Sequence, residues 1–209
     1  MKIEKVNGFW VPSNDIHIEQ WKSGQPFTQN KCLLKFLDYC ESQHKKFRTV
    51  LDIGAWCGTW AKAMEPYAKK IIAFEPDATH FECLEKNCTV NCVPRREAVG
   101  DTEKLVSLTK DDFTQAKRVL DSGTIRMVAL DDLGLEDVDL IKIDVEGYEM
   151  QVLMGAKKLL QTVNYVMIEL NNNTKKYGSS NADVERHLRT MGYKELLGHW
   201  PDKVYYRAT

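Results

Sequence analysis

The sequence predicts an α/β fold of Rossmann-like type: a mainly parallel, seven-stranded sheet with helices on both faces, preceded by an irregular N-terminal arm. Three features point to it. From residue 49 onward, short apolar runs alternate with stretches of helical periodicity, the pattern of parallel strands joined by crossover helices. The run Thr49 to Ile53 ends in a small-residue turn, Gly54-Ala55-Trp56-Cys57-Gly58, that opens a helix. A second run, Ile71 to Phe74, ends in Glu75, 21 residues after Gly54. That is about the separation between the first βα turn of a Rossmann-like unit and the acid that bonds a ribose.

Residues 1–30 differ in texture from the rest. Phe9, Trp10, Trp21 and Phe27 are interrupted by Pro12, Gly24 and Pro26, which break any long element. A short hairpin or strand is expected at Gly8 to Val11. The segment reads equally as a packing strap or as a lid over a ligand. Residues 31–209 then form the main domain. A helix is expected from about Gln29 to Glu41, where Leu33, Leu34, Phe36, Leu37 and Cys40 recur at helical spacing. Thr49 to Ile53 is the first strand, followed by a helix from Thr59 to about Ala68. Ile71 to Phe74 is the second strand, and Asp77 caps a helix that ends near Asn87. Val93 to Val99 is a weaker third strand. Lys104 to Leu108 and Thr124 to Leu130 are candidate strands of an insertion or sheet edge. Leu140 to Ile143 is the fourth strand, Glu149 to Leu160 a helix, Tyr165 to Leu170 the fifth strand, and Asn181 to Met191 a helix. Tyr193 to Leu197 and Lys203 to Arg207 complete the sheet.

The 209 residues suffice for one domain with a sizeable core. With 43% hydrophobic and 28% charged residues, the composition is that of an ordinary globular protein. A net charge of −1 provides no basic footprint, which argues against a nucleic-acid partner. No apolar run reaches the roughly 20 residues of a membrane span, and Met1-Lys2-Ile3-Glu4-Lys5 lacks the apolar core of a signal peptide. The six cysteines, Cys32, Cys40, Cys57, Cys83, Cys88 and Cys92, form no CxxC pair. All six are expected to be reduced thiols of a cytoplasmic protein.

The chemistry is expected at two places. In the first turn, glycines at 54 and 58 flank Trp56. A dinucleotide fingerprint needs a glycine near that middle position for its pyrophosphate, so NAD is disfavoured, and S-adenosylmethionine, which has no phosphate, suits the turn better. No P-loop pattern occurs. The second place is Asp139-Leu140-Ile141-Lys142-Ile143-Asp144-Val145-Glu146-Gly147-Tyr148-Glu149. In an open α/β sheet this strand adjoins the first at the switch point, where ligands bind beyond the carboxyl ends. Asp144 and Glu146 therefore stand where a reactive group and an acceptor meet, whereas Glu149 reads as a helix cap.

These motifs resemble those of the FkbM family of S-adenosylmethionine-dependent methyltransferases. The matching pieces, in family order, are Val50 to Ala55 with Gly58, Ala73-Phe74-Glu75-Pro76, Ala98 to Asp101, Ala129 to Leu133, Ile141 to Glu149, Val152 to Ala156 and Ile168-Glu169-Leu170. The resemblance implies a class I methyltransferase fold and O-methylation of a sugar, glycan or natural-product hydroxyl. It also implies that Asp52, Gly54, Ala55 and Gly58 line the methionine and ribose part of the cofactor, with Glu75 on the ribose hydroxyls. Pro76 and Val99 would then lie by the adenine, and Asp144 near the methionine amino group or the reacting centre. Trp56 departs from the family pattern, which has a small or amide residue there. It narrows the pocket or stacks on substrate, so it joins the candidate cofactor contacts.

A sugar hydroxyl is a poor nucleophile, so a general base is expected. The candidates are Asp144, Glu146, Glu169 and His199. His199 enters because the loop joining the last two strands should emerge at the binding edge; His17 is a weaker candidate of the same kind. Asp144, Glu146 and Glu169 are also oxygen ligands of the type that hard cations take, but nothing in their spacing compels a metal and none is expected. The partner is expected to be a small-molecule or glycan acceptor. Two alternatives remain: a nucleoside-binding module without catalysis, and a nucleic-acid methyltransferase on the same fold.

Overall fold

The computed structural model describes residues 2–27, 30–109 and 119–207. The arm forms a hairpin of β1 (Ile3–Val6) and β2 (Phe9–Pro12), followed by the short helix α1 (Ile18–Lys22). The strand expected at Gly8 to Val11 is thus the second limb of a hairpin. Val6, Val11 and Trp21 form its small core, against which Phe9, Ile18, Phe27 and Trp56 pack.

The helix α2 (Lys31–Ser42) follows, with the Asn30 side chain accepting the Leu33 N–H as N-cap; its expected start at Gln29 lies outside the described residues. Then come β3 (Phe47–Ile53), α3 (Thr59–Met64), β4 (Ala68–Phe74), α4 (Ala78–Asn87) and β5 (Cys92–Arg95). The helix expected to reach Ala68 stops at Met64 because Pro66 cannot continue it, and Ala68 already belongs to β4. Asp77 caps α4 as expected, accepting from the Thr79 and His80 N–H groups.

The strand expected over Val93 to Val99 divides in two. Its first half lies in β5, and its second half is β6 (Ala98–Val99), in another sheet. That four-stranded sheet is completed by β7 (Lys104–Leu108), β8 (Val119–Asp121) and β9 (Ile125–Val128), in the order β6-β9-β7-β8. The chain returns through β10 (Val138–Ile143), α5 (Glu149–Met154), β11 (Tyr165–Glu169), α6 (Asn181–Thr190), β12 (Tyr193–His199) and β13 (Asp202–Arg207). The helix predicted to run to Leu160 ends at Met154, ahead of Gly155, and a 3-10 turn at Leu159–Gln161 follows.

The main sheet has seven strands in the order β12-β13-β11-β10-β3-β4-β5. The five strands from β11 to β5 are parallel, and β13 runs antiparallel to both of its neighbours. Both faces are covered, so central strands are apolar throughout: all six residues of β10 are buried. Successive residues feed opposite layers. Leu51 and Ile53 of β3 join the core under α5 and α6, whereas Val50 joins the core under α2 and α3. Among the described residues no helix is long and apolar enough to cross a membrane.

The expectation of six reduced thiols is corrected at one pair. Cys88 and Cys92 form a disulfide, with Cα atoms 5.3 Å apart, within the span such a bond requires. Helix α4 ends at Asn87, so Cys88 lies in the turn leading to β5 and its side chain is free to meet Cys92. The other four cysteines are free and buried.

Candidate active site

A cavity of about 380 Å³ opens at the carboxyl ends of β3, β4, β10 and β11, within the usual size range of small-molecule sites. Its floor is the turn after β3. Gly54 and Ala55 both donate their N–H to the Phe74 carbonyl, at 3.0 and 2.9 Å, which folds this turn towards β4. Gly54 has φ +75°, and a Cβ there would sit 1.8 Å from the Asp144 carbonyl oxygen. Only glycine lets the β3 and β10 turns approach this closely.

Glu75 lies on the cavity wall and is almost fully buried. Its Oε2 accepts the Trp56 N–H at 2.9 Å and its Oε1 the Asp77 N–H at 2.8 Å. The carboxylate is thereby fixed in orientation, with the His80 Nδ1 3.8 Å from its Oε1. Ala55, Trp56, Pro76 and Val99 line the same cavity. Asp52 and Gly58 do not line it. Gly58 is the N-cap of α3. Asp52 is wholly buried, 3.1 Å from the Lys142 ammonium.

Lys142 is a buried cation that sequence reasoning passed over. It stands opposite Asp52 in the β10–β3 register. Its Nζ donates to the Gly54 carbonyl at 2.6 Å and also faces Asp144 at 3.5 Å. Burial pulls its pKa down, but the Asp52 and Asp144 carboxylates more than offset this, so it is held charged. Burial raises Asp52, against the pull of that ammonium. A lone lysine inside an apolar strand, with acids two residues beyond it and on the neighbouring strand, was the available signal.

Beyond β10 and β11 the carboxylates of Asp144, Glu146 and Glu169 converge, with one oxygen of each lying within 4.8 Å of the others. Glu146 has φ +55°. The next residue, Gly147, leaves no room for a Cβ, which would meet the Asn173 carbonyl oxygen at 2.6 Å. The loop after β11 holds the cluster. The Asn171 amide donates to Glu146 Oε2 at 2.9 Å and to Glu169 Oε2 at 2.7 Å. Asn173 adds a second donor to Glu146 Oε2 at 3.0 Å. Burial and the nearby Asp144 charge nevertheless push Glu146 up to about 7. The same two causes, with Glu146 added, raise Glu169 strongly. The two asparagines are functional candidates that the sequence reading missed. Glu149, read as a cap, accepts the Gly147 N–H at 2.9 Å and opens α5.

The structure does not bring His199 to the cavity. β12 does run parallel to β11, so its end emerges at the expected edge, but it is the outermost strand and His199 is exposed. The neighbour that approaches the cluster is instead Asp202, paired in register with Glu169. Burial and the Asp144 charge raise it to about 6. His17 does line the cavity, with Trp21 and Phe27 of the arm. Trp56, at φ +50°, turns its indole against Trp21, with ring centroids 5.6 Å apart, and against His80 at 6.1 Å. Asn87 ties the arm down further: it accepts the Trp10 N–H and donates to the Trp10 and Cys57 carbonyls.

Comparison with known proteins agrees with this architecture. The hexuronic acid methyltransferase AglP of Haloferax volcanii is 28% identical over 130 residues, 57% of this chain and 54% of its own length. The chain thus spans about half the length of the curated relative it matches. Among solved structures, methyltransferase FkbM from Methylobacillus flagellatus superposes with a TM-score of 0.57 at 17% identity, over 77% of this chain and 43% of that one. Magnesium protoporphyrin IX methyltransferase from Synechocystis, solved with bound S-adenosylmethionine, gives 0.55 at 10% identity, over 84% and 78%. These likenesses establish the class I methyltransferase fold. The family model for the methyltransferase FkbM domain matches residues 50–195, so the chain belongs to the FkbM methyltransferase family.

Proposed function

We propose that this protein is an S-adenosylmethionine-dependent O-methyltransferase acting on a hydroxyl of a sugar, glycan or similar small acceptor. One observation carries the reading: a single cavity holds the Glu75 carboxylate at one side and the Asp144–Glu146–Glu169 cluster at the other. Glu75 follows β4 and Glu169 ends β11, three strand positions apart. At the spacing of a sheet that is about 14 Å, enough to keep a nucleoside and a reacting hydroxyl at opposite ends of one ligand set.

The cavity's residues fit the cofactor. Glu75 offers its carboxylate to a ribose diol, Pro76 and Val99 offer apolar surface for a base, and the Gly54 turn lets a ligand approach the backbone. When bound, S-adenosylmethionine supplies an activated methyl group for in-line transfer. The protein's part is then to position the acceptor, exclude water and take its proton. We assign proton removal to Glu146, whose Oε2 is held by Asn171 and Asn173, and assign Asp144, beside Lys142, to orienting the reacting groups. The cluster is given this proton-handling role, not that of a cation site, because amide N–H donors already occupy an oxygen of Glu146 and of Glu169. Residues 1–30 serve as the lid over the 31–209 domain, with His17, Trp21 and Phe27 facing the ligands.

The pH dependence tests the assignment. A carboxylate raised to about 7 is an effective base only above that pH. Turnover is expected to rise with pH through an acid limb near 7. Glu146→Gln should lower kcat by roughly 10²–10⁴-fold and abolish the limb, with binding of S-adenosylhomocysteine unchanged. A wild-type limb in Glu146→Gln would remove Glu146 from the base role.

A further inference from the structure

We infer that His80 is a positioning residue for the cofactor: its imidazole holds the Glu75 carboxylate in the orientation that receives a ribose. The inference rests on the functional reading above and deepens it at the nucleoside end of the cavity.

The local sequence places the ring. Glu75 directly follows β4, and Asp77 caps α4 two residues later. His80 is the third residue of α4. Side chains of a helix tilt toward its N-terminus, so the imidazole folds back over the cap and over Glu75. It is buried, with 4% of its surface exposed, and lines the cavity together with Glu75 and Trp56. Its Nδ1 lies 3.8 Å from Glu75 Oε1 and 3.7 Å from Asp77 Oδ1. Both separations are longer than a hydrogen bond, so the ring acts through its dipole rather than as a bonded donor. A lone pair on Nδ1 would face two carboxylate oxygens. The neutral ring therefore carries its proton on Nδ1, with the N–H dipole directed at the acids.

The other nitrogen shows what the imidazole does not serve. Nε2 is buried and has no hydrogen-bond partner among the described residues. An unsatisfied buried acceptor costs free energy that an apolar side chain of the same size would not incur. Packing alone thus favours an apolar residue here, and what the imidazole adds lies on its Nδ1 side. The terminal torsion of a glutamate is soft. Two backbone donors hold Glu75, the Trp56 N–H on Oε2 and the Asp77 N–H on Oε1. His80 adds a side-chain dipole on the Oε1 flank, and its ring packs edge-on against Trp56 with centroids 6.1 Å apart. Trp56 and His80 therefore brace the two oxygens of one carboxylate while packing on each other. A ribose diol needs those oxygens at a fixed angle, so loss of the brace is felt in ligand affinity.

The test is calorimetric titration of S-adenosylhomocysteine into the wild type, His80→Phe and His80→Asn, and into each variant combined with Glu75→Ala. Phenylalanine keeps a ring against Trp56 and removes the Nδ1 donor. Asparagine keeps an N–H near the Nδ1 position and removes most of the ring. The expected result is a dissociation constant about tenfold higher for His80→Phe, and one within about threefold of wild type for His80→Asn. In the Glu75→Ala background His80→Phe should add less than about twofold, because a residue that acts through Glu75 then has nothing left to position. Thermal denaturation establishes that each variant is folded at the titration temperature, and His80→Leu takes the place of His80→Phe in the same comparison if the larger ring prevents folding. Wild-type affinity in His80→Phe would overturn the inference. So would a loss in His80→Asn as large as that in His80→Phe, or a loss undiminished in the Glu75→Ala background, since either assigns the ring to packing. A wild type that binds no S-adenosylhomocysteine, or an affinity unchanged in Glu75→Ala, would instead overturn the functional reading beneath it.

Discussion

Replacing Lys142 with methionine is expected to destabilise the fold by about 3–5 kcal/mol, the range for breaking a buried ion pair by removing one partner. Lys142 and Asp52 face each other across two central strands, and the Asp52 side chain has no exposure to water. Methionine fills most of the volume, so the loss is electrostatic rather than a cavity effect. It leaves the Asp52 carboxylate buried beside Asp144 without its counter-charge and removes a donor from the Gly54 carbonyl. The pH dependence has a definite sign. In the variant Asp52 can relieve itself only by binding a proton, so its folded-state pKa rises still further above its unfolded value. The relief is fully present below the unfolded pKa and is lost as pH rises through the raised folded value. The stability gap to wild type should therefore be narrower in acid and widest at neutral and alkaline pH. Urea denaturation across pH checks this. Lys142→Met with Asp52→Leu should recover much of the loss, because an apolar pair can replace a buried ionic one. A single-variant loss below about 1 kcal/mol would mean that water reaches the pair.

Gly54→Ala is expected to be comparably damaging for a different reason. The added Cβ would lie 1.8 Å from the Asp144 carbonyl oxygen and 2.9 Å from its carbon. Neither is the tip of a flexible side chain, so the β3 and β10 turns must separate. Overpacking of about 1–3 kcal/mol adds to roughly 1–2 kcal/mol for an L-residue in the left-handed region. The displaced groups are those that shape the cavity floor, so ligand binding should fall with stability. Gly8→Ala is the matched control: it has φ +89° but open space around its Cβ position. It should show only the backbone component. Thermal denaturation of both variants checks the contrast, and equal effects would show that the Asp144 contact is not limiting.

Much of the fold was legible because local and global signals agree there. The turn after β3, Asp77 as a cap and the apolar run of β10 each follow from short-range chemistry. Disagreement arises where tertiary context overrides a continuous pattern. Val93 to Val99 reads as one strand, yet it divides between two sheets. His199 was placed by strand direction, which proved correct, but strand order decides reach. β13 inserts between β12 and β11, so Asp202 and not His199 approaches the acids. The arm's role could not be read from residues 1–30 alone, since its anchors, Trp56 and Asn87, lie in the main domain. Trp56, which departs from the family pattern, now has a structural account. Its backbone N–H binds Glu75 while its ring packs under the arm. Asn171 and Asn173 were invisible because an Asn-rich turn carries no chemical signature until it is folded against two carboxylates.

The most direct measurement is calorimetric titration of the wild-type protein and of Glu75→Ala with S-adenosylmethionine and S-adenosylhomocysteine, with NAD as the control. The account predicts saturable binding of the first two by the wild type and none of NAD. It predicts that Glu75→Ala weakens binding by roughly 1.5–3 kcal/mol, the loss of a charge-assisted hydrogen-bond acceptor. Binding of NAD in preference to S-adenosylmethionine, or an affinity unchanged in Glu75→Ala, would contradict the placement of the cofactor on which the proposed function rests.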